Sequence, residues 1–224
     1  ADGLSVLAHR PGPGRQARGR RPPDRVSVLD GPARLTQRVG DREFTVAADG
    51  FWQVHPDAAA TFAGAVLAAV APQPGETVLD LDAGAGVLTA LLAEAVGATG
   101  KVIGLESSRG AVADAAANLA DLPWAGVLHA RINEAFLAAL DVNPDVVVLD
   151  PPRAGAGRTV MAALLAMRPR AIGYVACDPA ALARDVRVAL DAGWQLAAVR
   201  AFDAFPMTHH VECVAMLTPA PSGG

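Results

Sequence analysis

An alternation of strand-like and helix-like segments over residues 77–191 constrains the fold of this chain more than any other feature of its sequence. Short apolar segments alternate there with longer segments that have the apolar periodicity of a helix. The predicted strands and helices follow one another at 77–81, 87–95, 102–106, 111–119, near 127, 134–140, 146–150, 158–167, 171–177 and 179–191. Strands separated by helices pair in parallel, and the helices cover both faces of the sheet. We therefore predict an α/β fold with a doubly wound, mostly parallel sheet that ends in an antiparallel pair at 195–201 and 211–217.

The segment before this alternation has a different composition. Six Arg lie among Pro and Gly between positions 10 and 25, without apolar periodicity, and they fit either a solvated loop or a contact with an RNA backbone. Two short strands are predicted next, at 26–29 and 43–46, and the turn signals between them predict that they are antiparallel. The predicted parts are a flexible basic linker or remnant of an upstream domain at 1–25, a short β-rich lead-in at 26–55, a main domain at 56–218 and a loose tail at 219–224.

The composition excludes several classes of protein. Of the 224 residues, 52% are hydrophobic and 19% are charged, as in a globular protein, and no apolar run approaches the ~20 residues of a membrane helix. The two cysteines are too few for a disulfide framework, a structural zinc site or an iron–sulfur cluster, and the five histidines lack metal-ligand spacing. The net charge of −4 argues against a non-specific nucleic-acid coat protein. We expect a cytoplasmic protein without a metal or a membrane partner.

A glycine-containing loop joins the first predicted strand of the alternation to its helix. The loop reads Asp80-Leu81-Asp82-Ala83-Gly84-Ala85-Gly86, and its glycines allow the backbone to approach a ligand at the helix N-terminus. Glu106 ends the next strand, where a carboxylate can accept hydrogen bonds from the two hydroxyls of a ribose. Together with Glu106, the loop indicates an adenosine-containing ligand, either a dinucleotide or S-adenosylmethionine; a plain tight turn is the alternative reading of the loop alone. It lacks the lysine of a nucleotide-hydrolysing loop.

Two later strands each end in a reactive side chain followed by proline. Asp150 precedes Pro151-Pro152-Arg153, a rigid exit that suits a carboxylate facing the flat edge of a base, although a purely structural turn is the alternative. Cys177 precedes Asp178-Pro179, where Asp178 is predicted to cap a helix. A thiol beside a helix N-terminus is expected to have a lowered pKa and to act as a nucleophile. A small buried hydrophobic residue is the alternative reading of a cysteine, and it fits Cys213 well.

The last predicted strand begins with an acid among apolar residues. Glu212 follows the run Phe205-Pro206-Met207-Thr208-His209-His210-Val211. It reads either as a charge on an edge strand or as a partly buried carboxylate whose raised pKa lets it accept a proton.

Taken together, these motifs resemble the RNA uridine 5-methyltransferase family, whose members make 5-methyluridine in tRNA and 23S ribosomal RNA. The resemblance covers residues 51–217 and resides in six motifs in order. They are Phe51-Trp52-Gln53-Val54-His55-Pro56, the glycine loop, Asp150-Pro151-Pro152-Arg153, Cys177-Asp178-Pro179, Leu182-Ala183-Arg184-Asp185, and Phe205-Pro206 ahead of His210-Val211-Glu212. The resemblance implies the catalytic C-terminal part of a longer enzyme with a seven-stranded Rossmann-like methyltransferase sheet whose last strand is antiparallel.

The resemblance also implies roles for individual residues. Cys177 would be the nucleophile, Glu212 the proton acceptor, and Asp150 would hold the uracil edge. The implied contacts to S-adenosylmethionine are Gln53, Asp82, Gly84, Gly86, Val87, Glu106, Asn133 and Asp150. Arg153 and Asp178 would contact the substrate. The implied partner is RNA, a tRNA or 23S ribosomal RNA, with no protein partner.

Several positions depart from the family's pattern and keep other functions open. The usual Tyr-Cys-Gly of the loop is Asp82-Ala83-Gly84, and Asp178 and Ala181 replace the usual Asn and Thr after the cysteine. These changes also fit a weakened or non-catalytic module of the same fold that binds RNA or cofactor. An exocyclic-amine methyltransferase is the third alternative. It is less favoured because Arg153 stands where such enzymes commonly have an aromatic residue.

Overall fold

A computed structural model describes residues 5–10, 25–205, 207–208 and 210–221 of the chain. The strands are β1 (Val6–Arg10), β2 (Arg25–Asp30), β3 (Arg34–Val39), β4 (Arg42–Ala47), β5 (Thr77–Leu81), β6 (Lys101–Glu106), β7 (Ala125–His129), β8 (Val146–Leu149), β9 (Ala171–Ala176), β10 (Trp194–Phe202) and β11 (Glu212–Pro219). The helices are α1 (Ala58–Val70), α2 (Val87–Val96), α3 (Arg109–Asn118), α4 (Glu134–Ala139), α5 (Arg158–Ala166) and α6 (Pro179–Asp191).

Seven strands form the central sheet in the order β10-β11-β9-β8-β5-β6-β7. Strands β5 to β9 pair in parallel with their neighbours, and β11 lies antiparallel between β9 and β10. The chain therefore winds outward in one direction from β5 to β7 and in the other from β8 to β9. This arrangement confirms the predicted doubly wound, mostly parallel sheet with an antiparallel last strand.

The core consists of two hydrophobic clusters, one on each face of the sheet. Because successive strand residues point to opposite faces, Val146 and Val148 of β8 belong to one cluster and Val147 and Leu149 to the other. Helices α1, α2 and α3 cover the first face, and α4, α5 and α6 cover the second. All four residues of β8 are buried, which explains why its sequence is a continuous apolar run instead of an alternating one.

The lead-in differs from the prediction because each predicted strand has a partner that the sequence did not reveal. Strand β2 pairs with β1 and β4 pairs with β3, both antiparallel, so the predicted pairing of 26–29 with 43–46 is wrong. Only Val39 is buried in β3, which leaves too weak an apolar pattern to identify that strand. Residues 6–10, expected to belong to the flexible linker, form β1 instead. Residues 1–4 and 11–24 of the predicted linker and 222–224 of the predicted tail lie outside the described residues.

Candidate active site

A cavity of about 830 Å³ opens at the carboxyl ends of the parallel strands, beside the point where the strand order reverses between β5 and β8. Ligands of open α/β sheets bind at this kind of position. Nine of the site residues expected from the sequence line it: Gln53, Asp82, Gly84, Val87, Glu106, Asp150, Arg153, Cys177 and Glu212. Three others, Gly86, Asn133 and Asp178, are not among its lining residues.

The acidic residues and the thiol project from one face of the sheet. Val148, Val175 and Val214 belong to the core cluster under α1 to α3. Side chains two positions along a strand share a face, so Asp150, Cys177 and Glu212 project toward that same side. In the pairing of β9 with β11, Cys213 lies opposite Ala176, and the next pair along this register is Glu212 opposite Cys177.

The glycine loop is held to the neighbouring strand by main-chain hydrogen bonds. The Ala83 N–H donates to the carbonyl oxygen of Leu105 (3.1 Å), and the Gly84 N–H donates to Oε2 of Glu106 (3.0 Å). Gly84 and Gly86 have φ values of 55° and 85°, in the left-handed region that glycine adopts readily. Gly86 is the N-cap of α2, and a Cβ there would lie 3.1 Å from the Ala115 side chain. Gly86 therefore permits the turn and the close approach of α3 and does not itself face the cavity.

Glu106 occupies the end of β6 as the sequence predicted. It is buried, and its Oε1 accepts a hydrogen bond from the Ser108 N–H (2.6 Å) in addition to the bond from Gly84 to Oε2. The Ser107 hydroxyl donates a third, longer hydrogen bond to Oε1 (3.3 Å). A carboxylate offers about four lone-pair positions, so Glu106, which lines the cavity, keeps capacity for a further donor. The geometry suits hydrogen bonds from a ribose diol.

Asp80 and Asp82 bring further negative charge to the loop. Asp80 is fully buried; its Oδ2 accepts from the Thr89 hydroxyl (2.6 Å), and its Oδ1 has no hydrogen-bond partner among the described residues. Burial raises the pKa of Asp80 to about 7. Burial, followed by the charge of Glu106, raises the pKa of Asp82 to about 6. Both carboxyl groups would be stabilised by a cation bound beside them.

Asp150 and Arg153 lie on a rigid turn after β8. Burial, then the charges of Glu212, Asp80 and Asp82, raises the pKa of Asp150 to about 7. The Gly155 N–H donates to the carbonyl oxygen of Pro152 (2.8 Å) and closes a β-turn with Arg153 in its first central position. The turn thus presents the Arg153 side chain at the mouth of the cavity, where it is exposed.

Cys177 does not have the lowered pKa that the sequence led us to expect. Burial raises the pKa of its thiol, and the charges of Glu212 and Asp150 raise it further, against a smaller lowering by Arg153. Asp178 caps α6 as predicted, since its Oδ1 accepts from the Ala181 N–H (2.7 Å). Burial and the two neighbouring carboxylates, which come from separate strands, are therefore the causes of the raised pKa of Cys177. Burial also raises the pKa of Glu212, in agreement with the partly buried proton acceptor considered from the sequence.

Asn133 lies away from the cavity and is committed to its own helix. Its Oδ1 accepts from the Phe136 N–H (2.9 Å) and caps α4, and its Nδ2 donates to the carbonyl oxygen of Arg131 (3.0 Å). Both ends of the amide are therefore used locally.

The cavity also contains residues that sequence reasoning did not single out for binding. Phe62 of α1 and Asp114 of α3 line it, and Asp114 is buried and ion-paired with Arg34 (2.7 Å). Phe62 is a buried apolar residue of α1, and its residue type by itself indicates core packing and not a binding site. An aspartate inside a predicted helix rich in alanine was the one available signal for Asp114.

The charge of the lining is strongly one-sided. Among the described lining residues, six carry a carboxylate and one, Arg153, carries a positively charged Lys or Arg side chain. The six acidic residues are Asp49, Asp82, Glu106, Asp114, Asp150 and Glu212. Such a lining favours a ligand that carries positive charge. In the part of the chain that the structure describes, no group of three His, Cys, Asp or Glu side chains is arranged to hold a metal ion. Among the described helices, none has the length and apolar character needed to cross a membrane.

Comparisons with known proteins identify close similarity in sequence. The family model described as tRNA (uracil-5-)-methyltransferase matches residues 31–220. An uncharacterized RNA methyltransferase of Streptomyces avermitilis is 45% identical over 199 residues, which cover 88% of this chain and 46% of that protein. Another of Streptomyces coelicolor is 46% identical over 199 residues, covering 88% of this chain and 43% of that protein. The chain thus spans less than half the length of these two curated relatives.

A solved structure has the same fold. The tRNA (uracil-54, C5)-methyltransferase of Pyrococcus abyssi, in complex with S-adenosyl-L-homocysteine, superposes with a TM-score of 0.71 at 24% sequence identity. The superposition covers 95% of this chain and 50% of that one. The architecture is therefore shared almost throughout the chain.

Proposed function

The chain belongs to the tRNA (uracil-5-)-methyltransferase family, and we propose that it transfers a methyl group from S-adenosylmethionine to carbon 5 of a uridine in RNA. The observation that carries the proposal is the convergence of Cys177, Glu212 and Asp150 on one cavity that continues to the glycine loop. A thiol, a proton acceptor and a group for the base edge are what this chemistry needs, and a site for the methyl donor adjoins them.

The residues at the loop end of the cavity suit S-adenosylmethionine. Glu106 can accept hydrogen bonds from the ribose hydroxyls, and the carboxylates of Asp82 and Asp150 favour its positive charges. Gln53, Gly84 and Val87 also line the cavity and complete the proposed binding residues. When bound, this molecule supplies an electrophilic methyl group on a sulfonium sulfur.

Cys177 solves the chemical problem that carbon 5 of uracil is a poor nucleophile. The thiol first loses its proton to water; the positive charge of Arg153 favours this loss, whereas burial and the charges of Glu212 and Asp150 oppose it. The thiolate sulfur then bonds to carbon 6, and the electron pair of the ring double bond moves to give an enolate whose carbon 5 can attack the methyl group. Asp150, with a pKa of about 7, is partly protonated at neutral pH and can donate a hydrogen bond to the carbonyl oxygen where negative charge develops.

Glu212 completes the reaction. After methyl transfer, carbon 5 carries both the methyl group and its original hydrogen. Glu212, which lines the same cavity as Cys177, removes that hydrogen as a proton. The electron pair restores the ring double bond and expels the thiolate. A carboxylate with a pKa raised by burial is a better proton acceptor than an exposed one.

The proposed substrate is a uridine of tRNA or 23S ribosomal RNA that leaves its stack to enter the cavity, which costs roughly a few kcal/mol. Phe51 and Val54 line the cavity and are highly exposed, so bases next to the target can contact them. We propose residues 56–218 as the catalytic domain and the cytoplasm as its location, since free thiols and an RNA substrate suit a reducing compartment.

The test is the substitution Cys177→Ala, with Cys213→Ala as the matched control. With unmodified transcripts of bacterial tRNA and 23S ribosomal RNA, we expect Cys177→Ala to lower formation of 5-methyluridine by at least ~10³-fold, because no other group can activate carbon 5. Binding of S-adenosylmethionine, measured by isothermal titration, should be retained. Cys213→Ala should remain active, since Cys213 lies on the opposite face of the sheet.

Other outcomes would support the alternatives. Methylation of an adenine or guanine amine that persists in Cys177→Ala would identify an exocyclic-amine methyltransferase. Failure of the unsubstituted chain to bind S-adenosylmethionine at high protein concentration would identify a non-catalytic module.

A further inference from the structure

A buried carboxylate on α6 lies outside the cavity and has no part in the proposed reaction. Asp185 belongs to the run Leu182-Ala183-Arg184-Asp185 and is only 4% exposed. Its Oδ2 accepts hydrogen bonds from the Tyr174 hydroxyl (2.6 Å) and from the Ala156 N–H (2.8 Å). The Gly157 N–H lies 3.2 Å from each of its two oxygens. Each of these donors is neutral.

The hydrogen bonds of Asp185 join three elements that flank the cavity. Tyr174 lies on β9, three residues before Cys177, and points to the face of the sheet opposite the thiol. Ala156 and Gly157 belong to residues 151–157, the loop that carries Arg153 and follows Asp150. The Ala156 N–H also lies 3.1 Å from the Tyr174 hydroxyl oxygen, so the loop contacts both side chains.

The loop is shaped to receive this pair of side chains. Gly155 has a φ of 81°, and a Cβ at this position would lie 2.6 Å from Oδ2 of Asp185 and 3.3 Å from the Tyr174 hydroxyl. Only glycine lets the backbone come this close. The Gly155 N–H meanwhile closes the turn that presents Arg153. The same short segment thus supports the Arg153 turn on one side and rests on Tyr174 and Asp185 on the other.

We propose that Tyr174 and Asp185 are positioning residues that fix the 151–157 loop, and with it Asp150 and Arg153, relative to Cys177. This inference rests on the proposed function for its catalytic consequence, but not for the loop contact itself. Among the described residues, Asp185 forms no ion pair. Burying such a carboxylate costs desolvation free energy that an apolar side chain of similar volume would not, so packing of the helix alone does not account for it. Two main-chain N–H groups of an irregular loop, in contrast, need a buried acceptor.

In this proposal, the hydrogen bonds of Asp185 fix the chain after β8 relative to the end of β9. Asp150 leaves β8 and Cys177 leaves β9, and each is followed by proline and a change of direction. The sheet fixes the backbone as far as Asp150, whose N–H donates to the carbonyl oxygen of Leu81 (3.2 Å). Beyond it, the bond from Ala156 to Asp185 ties the loop to α6, which begins at Pro179, two residues after Cys177. A small displacement of reacting groups is enough to lower a rate by orders of magnitude.

The test compares Tyr174→Phe with the control Val186→Ala. Tyr174→Phe removes one hydroxyl and keeps the ring, whereas Val186 packs into the same hydrophobic cluster from the next position of α6 without contacting the loop in this hydrogen-bond network. Amide hydrogen exchange of the 151–157 loop, the dissociation constant of S-adenosylmethionine, and kcat and KM for RNA are measured for both. Each variant is compared at equal distance below its own melting temperature.

In Tyr174→Phe, we expect exchange at Ala156 and Gly157 to accelerate roughly tenfold and kcat to fall by about tenfold or more. Binding of S-adenosylmethionine should stay within about twofold, because Glu106 and the glycine loop are untouched. Val186→Ala should leave loop exchange and kcat near the unsubstituted values although it lowers the melting temperature. Gly155→Ala, which forces a Cβ against Asp185, should reproduce the effects of Tyr174→Phe.

Unchanged exchange of the loop in both Tyr174→Phe and Gly155→Ala would overturn the proposal. An equal loss of kcat in Val186→Ala would also overturn it, because the lower kcat of Tyr174→Phe would then be explained by reduced stability of the whole protein. If the unsubstituted chain methylates neither RNA, the proposed function fails separately, and loop exchange in the two variants still decides whether Tyr174 and Asp185 hold the loop.

Discussion

The charge of Asp82 destabilises the folded protein but favours binding of a positively charged ligand. Its backbone has a φ of 59°, which aspartate tolerates better than most side chains. Its carboxyl group has a pKa of about 6, because burial and the charge of Glu106 disfavour ionisation. A bound cation would relieve this unfavourable charge, so the residue that weakens the empty protein strengthens its complex with a positively charged ligand.

We predict that Asp82→Asn stabilises the protein at alkaline pH. The folded-state pKa of Asp82 lies above its ordinary value, so the native state binds more protons than the unfolded state between about pH 4 and pH 6. Stability is therefore lost as pH rises through this window, and the penalty is complete above it. Removing the charge should raise the free energy of unfolding by roughly 2 kcal/mol at pH 8 and by little near pH 4. Urea denaturation at both pH values measures the difference.

The exposed Asp141→Asn serves as control and should change stability at neither pH. An equal gain for Asp82→Asn at pH 4 and pH 8 would show that backbone conformation, not ionisation, is responsible.

At single residues, sequence reasoning succeeded where local chemistry decides and failed where distant neighbours decide. The cap formed by Asp178 and the burial of Cys213 followed from the adjacent proline and the strand alternation. The pKa of Cys177 did not, because Glu212 and Asp150 approach it from separate strands. The family resemblance implied that Asn133 contacts the cofactor, yet its amide caps the helix that begins at the next residue.

At the scale of elements, β4 is fastened to α3 by polar groups as well as by apolar packing. Asn118 of α3 accepts from the Thr45 N–H (2.8 Å) and donates both to the carbonyl oxygen of Thr45 (3.2 Å) and to that of Ala85 in the glycine loop (2.9 Å). Arg42 of β4 in turn reaches the carbonyl oxygen of Asn118 (2.6 Å) and the side chain of Asp121. One amide side chain therefore connects hairpin, helix and loop.

We predict that Asn118→Ala lowers the free energy of unfolding by about 1–3 kcal/mol, because it leaves main-chain polar groups of Thr45 and Ala85 without their partner. It should also weaken binding of S-adenosylmethionine, since the glycine loop loses a tether. Chemical denaturation and isothermal titration measure the two effects. Asp121→Ala breaks only a pair whose acidic partner is exposed, so it should cost less than about 1 kcal/mol. Unaltered ligand affinity in Asn118→Ala would contradict the tether.

Strands and helices with a strong apolar periodicity were predictable from the sequence, whereas strands that depend on hydrogen bonding to a partner strand were not. The strands and helices from β5 to α6 lie within a few residues of their predicted positions, because buried strands and amphipathic helices have distinct apolar patterns. Strands β1 and β3 carry polar or exposed residues, and only their hydrogen-bonded partners define them. Whether such a strand forms depends on its pairing with a neighbouring strand, and the residues of one segment alone do not determine that pairing.

At the scale of the whole molecule, the two hairpins before α1 differ in their relation to the core. Phe44 and Val46 of β4 are almost completely buried in the main body. Val28 and Leu29 of β2 are instead exposed, and among the described residues β1 and β2 pair only with each other. The family match begins at residue 31, directly after this first hairpin.

We predict that deletion of residues 1–30 changes the free energy of unfolding by less than about 0.5 kcal/mol, because the described side chains of this segment are at most partly buried. Deletion of residues 1–47 should instead destabilise the protein severely, since it empties the places of Val39, Phe44 and Val46 in the core. Denaturant titrations of both truncated chains measure the contrast. A large loss of stability in the shorter deletion would reveal a contact of the first hairpin with the rest of the protein.

The position of β11 between β9 and β10 has a consequence for biosynthesis. A nascent polypeptide that has left the ribosome as far as β10 exposes the open edge of β9 and lacks the acid that faces its thiol. Insertion of the final strand both seals that edge against aggregation and delivers Glu212. In the proposed reaction, a translation product without β11 would lack the carboxylate that removes the proton from carbon 5, so turnover would require the completed sheet.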